Sequence, residues 1–97
     1  MLPGVPADAE HVWHLFVVRT PRRDELRRAL SDAGVETGIH YPLAPHRQPV
    51  FADLAIDPRS LPVSERLQHE VLSLPIGPHL SDDQVDHVVD RIRAFDA

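Results

Sequence analysis

The sequence predicts an α+β fold in which helices cover a small sheet of about three strands. Three observations favour this class. Residues 11–19 are rich in the apolar residues typical of strands, two later segments carry apolar residues at helical spacing, and prolines or glycines separate these pieces. Their order along the chain is strand, helix, strand, proline-rich loop, helix, short strand and helix. The 97 residues are enough for one domain with a single small core.

The first strand is predicted at residues 11–19. Residues 1–10, which precede it, contain prolines and a glycine and show no periodicity, so they are predicted to be a lead-in arm. The domain itself is expected to span residues 11–97. Because side chains on both faces of the strand are largely apolar, we expect the strand to be central in the sheet and covered on both sides, or else to be covered by a partner that is missing here.

The first helix is predicted to begin at Thr20, as the N-cap, with Pro21 at the first helical position. Its arginines are expected mostly on the solvent side, and Gly34 is expected to end it in the left-handed conformation. Residues 35–40 are predicted to form a second, shorter strand. The predicted buried stripe of this helix consists of Leu26, Ala29, Leu30 and Ala33. Its arginines are Arg22, Arg23, Arg27 and Arg28.

The second half of the chain predicts two more helices. One is expected to begin near residues 60–62, with Val63 and Leu67 on its buried side, and residues 72–75 should then be extended. The last helix has the clearest start, because Ser81 and Gln84 have the spacing of a capping box. Its predicted apolar face consists of Val85, Val88, Val89, Ile92 and Phe95.

The loop at residues 37–51 is the chemically richest part of the sequence. Its three prolines, Pro42, Pro45 and Pro49, prevent a helix or a central strand from running through it. The same loop carries His40, Tyr41, His46, Arg47 and Gln48. A stiffened backbone that displays polar groups is typical of a binding site, but a polar connector rich in proline is an equally open interpretation.

Composition excludes several classes of function. A net charge of −5 argues against nucleic acid binding, which requires a basic face. The spacing of the seven histidines supports no metal site, and we expect none. All ten basic residues are arginine, so no lysine side chain is present to form a Schiff base with an aldehyde cofactor. The lack of cysteine and of a long apolar run leads us to expect a cytoplasmic protein without membrane contact.

Several blocks of the sequence resemble a known family in their order and spacing. They are His-Val-Trp-His-Leu-Phe-Val-Val-Arg at 11–19, Arg-Asp-Glu-Leu at 23–26, Thr-Gly-Ile-His-Tyr-Pro at 37–42, His-Arg-Gln-Pro at 46–49, Ser-Glu-Arg at 64–66 and Glu-Val-Leu-Ser-Leu-Pro at 70–75. Together they resemble the C-terminal portion of the DegT/DnrJ/StrS family of pyridoxal-phosphate-dependent nucleotide-sugar aminotransferases. The resemblance extends from about residue 2 to residue 95.

This resemblance implies the small α+β C-terminal domain of an enzyme with the aspartate-aminotransferase fold (fold type I). In that family a large domain holds pyridoxal phosphate and supplies the Schiff-base lysine, and neither has a counterpart here. We therefore expect no cofactor in this chain alone, no catalytic residue, and no transamination by the chain unaided. The family's His-Tyr-Pro loop lies near the active-site cleft of a dimer, which makes His40, Tyr41 and His46 candidate contacts to a nucleotide-sugar.

Two functional hypotheses follow. In the first, the chain is a stand-alone or excised C-terminal domain, non-catalytic by itself, that completes a split enzyme with a separate large cofactor domain or contacts a nucleotide-sugar. In the second, it is a structural or protein-interaction module derived from that domain, and it uses an exposed sheet face for self-association or for a partner protein. A remnant without a present function is a third alternative.

Overall fold

The computed structural model describes residues 1–97 and confirms the α+β class. Two strands pair into a small sheet, and three helices surround it. The elements are β1 (Phe16–Arg19), α1 (Arg23–Asp32), α2 (Pro62–Glu70), β2 (Val71–Leu74) and α3 (Asp82–Asp96), with short 3-10 turns at Pro45–Arg47, Pro49–Leu54 and Pro58–Ser60. No helix is both long enough and apolar enough to cross a membrane.

The sheet has two strands where about three were predicted. β1 and β2 run antiparallel, with Phe16 opposite Leu74 and Arg19 opposite Val71. The predicted strand at residues 35–40 contributes only an isolated bridge between Gly38 and Ser73. At this bridge the His40 ring folds back over Gly38, so closely that a Cβ at Gly38 would lie 2.7 Å from His40 Cε1.

The first strand is shorter than predicted and lies at an edge of the sheet, because β2 is its only neighbour. Trp13 has a positive φ of 37°, which is not a strand conformation. The His11 imidazole Nδ1 accepts the Trp13 N–H at 2.8 Å and supports this local turn. Residues 11–15 therefore do not extend the ladder, and the prediction of a central strand is wrong.

Helix α1 begins at Arg23 and not at Pro21. Thr20 Oγ1 accepts the Arg22 N–H at 3.2 Å, which makes a turn before the helix. The predicted end is confirmed, since Gly34 has a φ of 77° directly after the last turn. The prediction that Arg23 faces solvent is wrong. Its side chain is buried, and Nη1 donates to the backbone oxygens of Gln68 at 3.2 Å and Val71 at 3.1 Å.

The core lies between the sheet and helices α1 and α3. Leu30 and Leu72 are fully buried at its centre, and Val88, Ile92 and Phe95 of α3 pack against it. The capping box of α3 is confirmed, because the Ser81 N–H donates to Gln84 Oε1 and the Gln84 N–H donates to Ser81 Oγ. Hydrophobic burial of this set is the main term that stabilises so small a domain.

Candidate functional site

The proline-rich loop begins at His40, whose side chain is held against the sheet. His40 Nδ1 lies 2.9 Å from the hydroxyl oxygen of Ser73 on β2. Ser73 also exchanges backbone hydrogen bonds with Gly38 in the isolated bridge, at 2.7 and 3.0 Å. His40 nevertheless stays exposed at its surface, so its Nε2 is free to donate to or accept from a ligand.

Tyr41 is displayed to solvent next to His40. Its side chain is 71% exposed, and its phenol oxygen forms no hydrogen bond within the protein. The Tyr41 ring meets the His40 ring edge to face, with centroids 5.3 Å apart. The two residues are joined by a cis peptide bond. Together they present an aromatic face, a phenol and an imidazole at one place on the surface.

His46 has a different environment from His40 and Tyr41. Its side chain is only 4% exposed, and Nε2 lies 2.5 Å from Glu65 Oε1 on α2. Because a carboxylate only accepts, His46 Nε2–H is the donor. Arg47 binds the same carboxylate with two parallel hydrogen bonds, from Nε at 2.7 Å and from Nη2 at 2.8 Å. The structure therefore places His46 in an anchor of the loop.

Glu65 is the ionised centre of this anchor. The hydrogen bonds from Arg47 lower the pKa of Glu65 to about 2, and the hydrogen bond from His46 adds to this effect. The carboxylate therefore stays charged through the physiological pH range. A charged acceptor with donors from two consecutive residues holds the 3-10 turn Pro45–Arg47 against α2.

Gln68 provides a second anchor one turn along α2. It is buried, and its Oε1 accepts the backbone N–H of the buried Ala44 at 2.9 Å. Sequence reasoning missed both Glu65 and Gln68, because it assigned the inner face of α2 to Val63 and Leu67. Val63 is in fact exposed. The sequence did carry one signal: Glu65 and Gln68 are three residues apart, which puts these two polar side chains on one face of the helix.

The arrangement displays polar and aromatic groups at the surface but cannot hold every group that the resemblance implies. Pyridoxal phosphate needs a lysine amine for its covalent attachment in such enzymes, and the chain has no lysine. These residues therefore do not fit that cofactor. No group of three or more His, Cys, Asp or Glu side chains is positioned to hold a metal ion. The exposed His40 and Tyr41 offer an aromatic face and hydrogen-bonding groups at the surface.

Comparison with known sequences identifies the relatives of this chain. Residues 1–93 match the DegT/DnrJ/EryC1/StrS aminotransferase family. The chain is 54% identical over 93 residues to the erythromycin biosynthesis sensory transduction protein EryC1 of Saccharopolyspora erythraea, covering 96% of this chain and 25% of that protein. It is 49% identical over 94 residues to the dTDP-3-amino-3,4,6-trideoxy-alpha-D-glucose transaminase of Streptomyces venezuelae, covering 97% and 25%. The chain thus spans about a quarter of the length of these curated relatives.

Solved structures share the fold. The crystal structure of S. venezuelae DesV, determined in complex with a ketimine intermediate, superposes with a TM-score of 0.92 at 48% identity, covering 97% of this chain and 25% of DesV. A DegT/DnrJ/EryC1/StrS aminotransferase from Brucella abortus gives a TM-score of 0.89 at 33% identity with the same coverage. The resemblance found in the sequence blocks is therefore confirmed. By sequence and by structure, the chain belongs to the DegT/DnrJ/EryC1/StrS aminotransferase family.

Proposed function

We propose that this chain acts as the small domain of a pyridoxal-phosphate-dependent sugar aminotransferase and contacts a nucleotide-sugar through His40 and Tyr41. The observation that carries the proposal is the exposed His40–Tyr41 pair in a chain that matches the family over residues 1–93. Relatives named as transaminases act on dTDP- or UDP-linked sugars, which supports a nucleotide-sugar as the ligand class. The chain is non-catalytic by itself in this proposal.

The two side chains suit such a ligand chemically. An exposed aromatic ring offers a face on which a nucleobase or a sugar ring can stack. The imidazole and the phenol offer donors and acceptors for hydroxyl or phosphate oxygens. In this proposal His46 contributes through the loop anchor, because its Nε2–H is already donated to Glu65.

Calorimetric titration with dTDP-glucose tests the ligand site. Stacking of a base on an aromatic ring is worth about 1–3 kcal/mol, so Tyr41→Ala should raise the Kd about 5- to 150-fold. His69→Ala, which removes an exposed ring from α2 outside the loop, should leave the Kd unchanged. Equal Kd values for Tyr41→Ala and the unmodified chain would refute the proposed contact.

Absorbance spectroscopy tests the non-catalytic part of the proposal. The chain has no lysine, so its N-terminal amine is the only primary amine that can form a Schiff base. When that amine has been blocked, the chain mixed with pyridoxal phosphate should show no Schiff-base band. A band that persists after blocking would contradict the proposal. A lysine-containing protein of similar size serves as the positive control.

A second candidate function is association with the large domain of an aminotransferase, which would complete a split enzyme. Two observations favour it. The chain spans about a quarter of its relatives, and most of its exposed large apolar side chains lie between Tyr41 and Val63, including Val50, Phe51 and Leu54. Concentrated exposed apolar surface is typical of an interaction site.

Sedimentation velocity tests this second candidate. The chain should form a one-to-one complex with a fragment of the S. venezuelae transaminase that lacks the matching quarter. Phe51→Arg should abolish that complex, because it places a charge in the apolar surface, whereas Val12→Arg, at an exposed position outside this surface, should not. Independent sedimentation of the two components would rule the association out. Self-association of the chain without binding to the fragment would also rule out this association.

A further inference from the structure

Two hydrogen-bonded anchors bracket Tyr41 along the chain. On one side, His40 Nδ1 is bonded to Ser73 Oγ on β2 at 2.9 Å. On the other side, the Ala44 N–H is bonded to Gln68 Oε1 on α2 at 2.9 Å. Pro42 lies between them and fixes its own φ. The exposed Tyr41 therefore sits in a span of only a few residues that is fixed at both ends.

The anchor on α2 is itself reinforced. Gln68 Nε2 donates to Glu65 Oε2 at 3.4 Å, so the two α2 side chains also contact each other. Glu65 in turn accepts from His46 and, with both oxygens, from Arg47. The backbone oxygen of Gln68 accepts from the buried Arg23 of α1, which ties this end of α2 to the core. The loop is thus connected to the core through Gln68.

From these contacts we propose that Glu65 and Gln68 are positioning residues, which hold Ala44–Arg47 against α2 and thereby fix the orientation in which Tyr41 meets a nucleotide-sugar. They do not touch the ligand in this proposal. The inference rests on the proposed function for its ligand. We call the contacts of Glu65 and Gln68 with residues 44–47 the clamp. The clamp is a property of the free chain, and it can be tested without any ligand.

Backbone dynamics test the clamp directly. In the free chain, heteronuclear {1H}-15N NOE values at Tyr41, Leu43, Ala44, His46 and Arg47 should match those of β2, because the loop is held. Glu65→Ala should lower these loop values while β2 stays unchanged. Unchanged loop values in a folded Glu65→Ala chain would overturn the proposal.

Two further variants separate positioning from a general loss of charge. Glu65→Gln keeps the shape and one acceptor oxygen but replaces the other with an NH2 donor, so it should restore part of the loop rigidity lost in Glu65→Ala. Asp57→Ala is the matched control, because Asp57, in the same half of the chain, also binds an arginine, Arg59, with both carboxylate oxygens. It should leave the NOE values of residues 41–47 unchanged. A loss of loop rigidity in Asp57→Ala as large as in Glu65→Ala would contradict a specific clamp.

Affinity measurements then connect the clamp to the ligand. Glu65→Ala should weaken dTDP-glucose binding about tenfold and Glu65→Gln by less, while Asp57→Ala binds as the unmodified chain does. A mobile loop with undiminished affinity would overturn the positioning role while leaving the proposed function intact. If the unmodified chain does not bind dTDP-glucose, the proposed function fails and the positioning of Tyr41 for that ligand fails with it, while the NOE data still report whether the clamp exists.

Discussion

Gln68, which is only 6% exposed, connects three parts of the chain. Its side-chain oxygen accepts from Ala44, its side-chain nitrogen donates to Glu65, and its backbone oxygen accepts from Arg23. A buried amide without partners would destabilise the fold, so these contacts explain how glutamine is tolerated there. At the scale of single residues, hydrogen bonds to Gln68 and Glu65 hold the loop against α2.

Gln68→Ala should destabilise the domain by about 1–3 kcal/mol, because the buried Ala44 N–H loses its acceptor. Chemical denaturation measures this change in the free energy of unfolding. Arg66→Ala, at an exposed position on the same helix, should change it by less than about 0.5 kcal/mol. Equal effects of the two substitutions would show that the Ala44 hydrogen bond contributes nothing.

The Glu65 anchor should persist in acid. The pKa of Glu65 in the folded chain is about 2, below its usual value of 4.5. A carboxylate with a depressed pKa stabilises the fold fully above its unfolded pKa, and that contribution is lost as the pH falls through the folded pKa. Titration of the Glu65 carboxyl carbon by NMR should therefore give a midpoint near pH 2. A midpoint near pH 4.5 would contradict the ion pair with Arg47.

Arg23 illustrates why part of the site was hidden in the sequence. It lies three residues before Leu26, on the buried stripe of α1, yet its charge predicts exposure. Burial is stable because its guanidinium donates to the carbonyl oxygens of Gln68 on α2 and Val71 at the start of β2, and to Asp24. Two of these acceptors, on Gln68 and Val71, lie more than forty residues away in the sequence, so no local pattern predicts the burial of Arg23. The third, Asp24, is itself exposed.

Among the elements, α3 has the start that its sequence predicts most directly. Both hydrogen bonds of the capping box are formed, at 2.9 and 3.3 Å. Asp82 and Asp83 lie in the first turn, where negative charge is favourable. This local chemistry needs no partner from elsewhere in the chain, which is why sequence reasoning found it.

Ser81→Ala should remove one half of the capping box and destabilise the domain by about 1 kcal/mol. In a domain of this size, that corresponds to a fall in Tm of about 4–8 °C. Ser31→Ala, at an exposed position near the end of α1, should leave the Tm almost unchanged. Thermal unfolding followed by circular dichroism measures both, and an unaltered Tm for Ser81→Ala would mean that the cap is not formed.

The strands were predicted less well than the helices, for a physical reason. Pairing depends on a partner strand far away in sequence, whereas capping and helical periodicity are local. Residues 11–15 have strand composition, but the His11 contact turns the chain at Trp13. Residues 35–40 pair with β2 only at Gly38.

For the whole molecule, stability is concentrated in one small core. Leu30 of α1 and Leu72 of β2 are fully buried in it, and α3 closes it from one side. Residues 40–47 and α2 contribute no side chain to this cluster, and hydrogen bonds and the Arg23 contact attach them to it. Loop variants are therefore expected to alter binding without unfolding the domain.

Leu30→Ala should destabilise the domain by about 2–5 kcal/mol, since it removes a fully buried side chain and leaves a cavity. Leu54→Ala, at a position that is exposed, provides the control and should cost less than about 0.5 kcal/mol. Urea denaturation measures both. Similar losses for the two leucines would contradict the position of the core.

The sequence predicted the proline-rich loop but not the groups that hold it. Prolines and polar side chains at residues 37–51 predicted a stiff displaying segment, and the structure has His40 and Tyr41 exposed there. The sequence did not predict that His46 would be buried against Glu65, because that contact joins residues nineteen apart in the sequence. Tertiary hydrogen bonds between a loop and a helix leave no periodic signal along the chain.

The most direct test of the central claim is a residue-by-residue map of dTDP-glucose binding to the 97-residue chain by 15N-resolved NMR titration. We expect saturable chemical-shift changes centred on His40 and Tyr41, smaller changes at Ser73 and Ala44, and none on α3. No change at a saturating ligand concentration, or changes centred away from His40 and Tyr41, would contradict it.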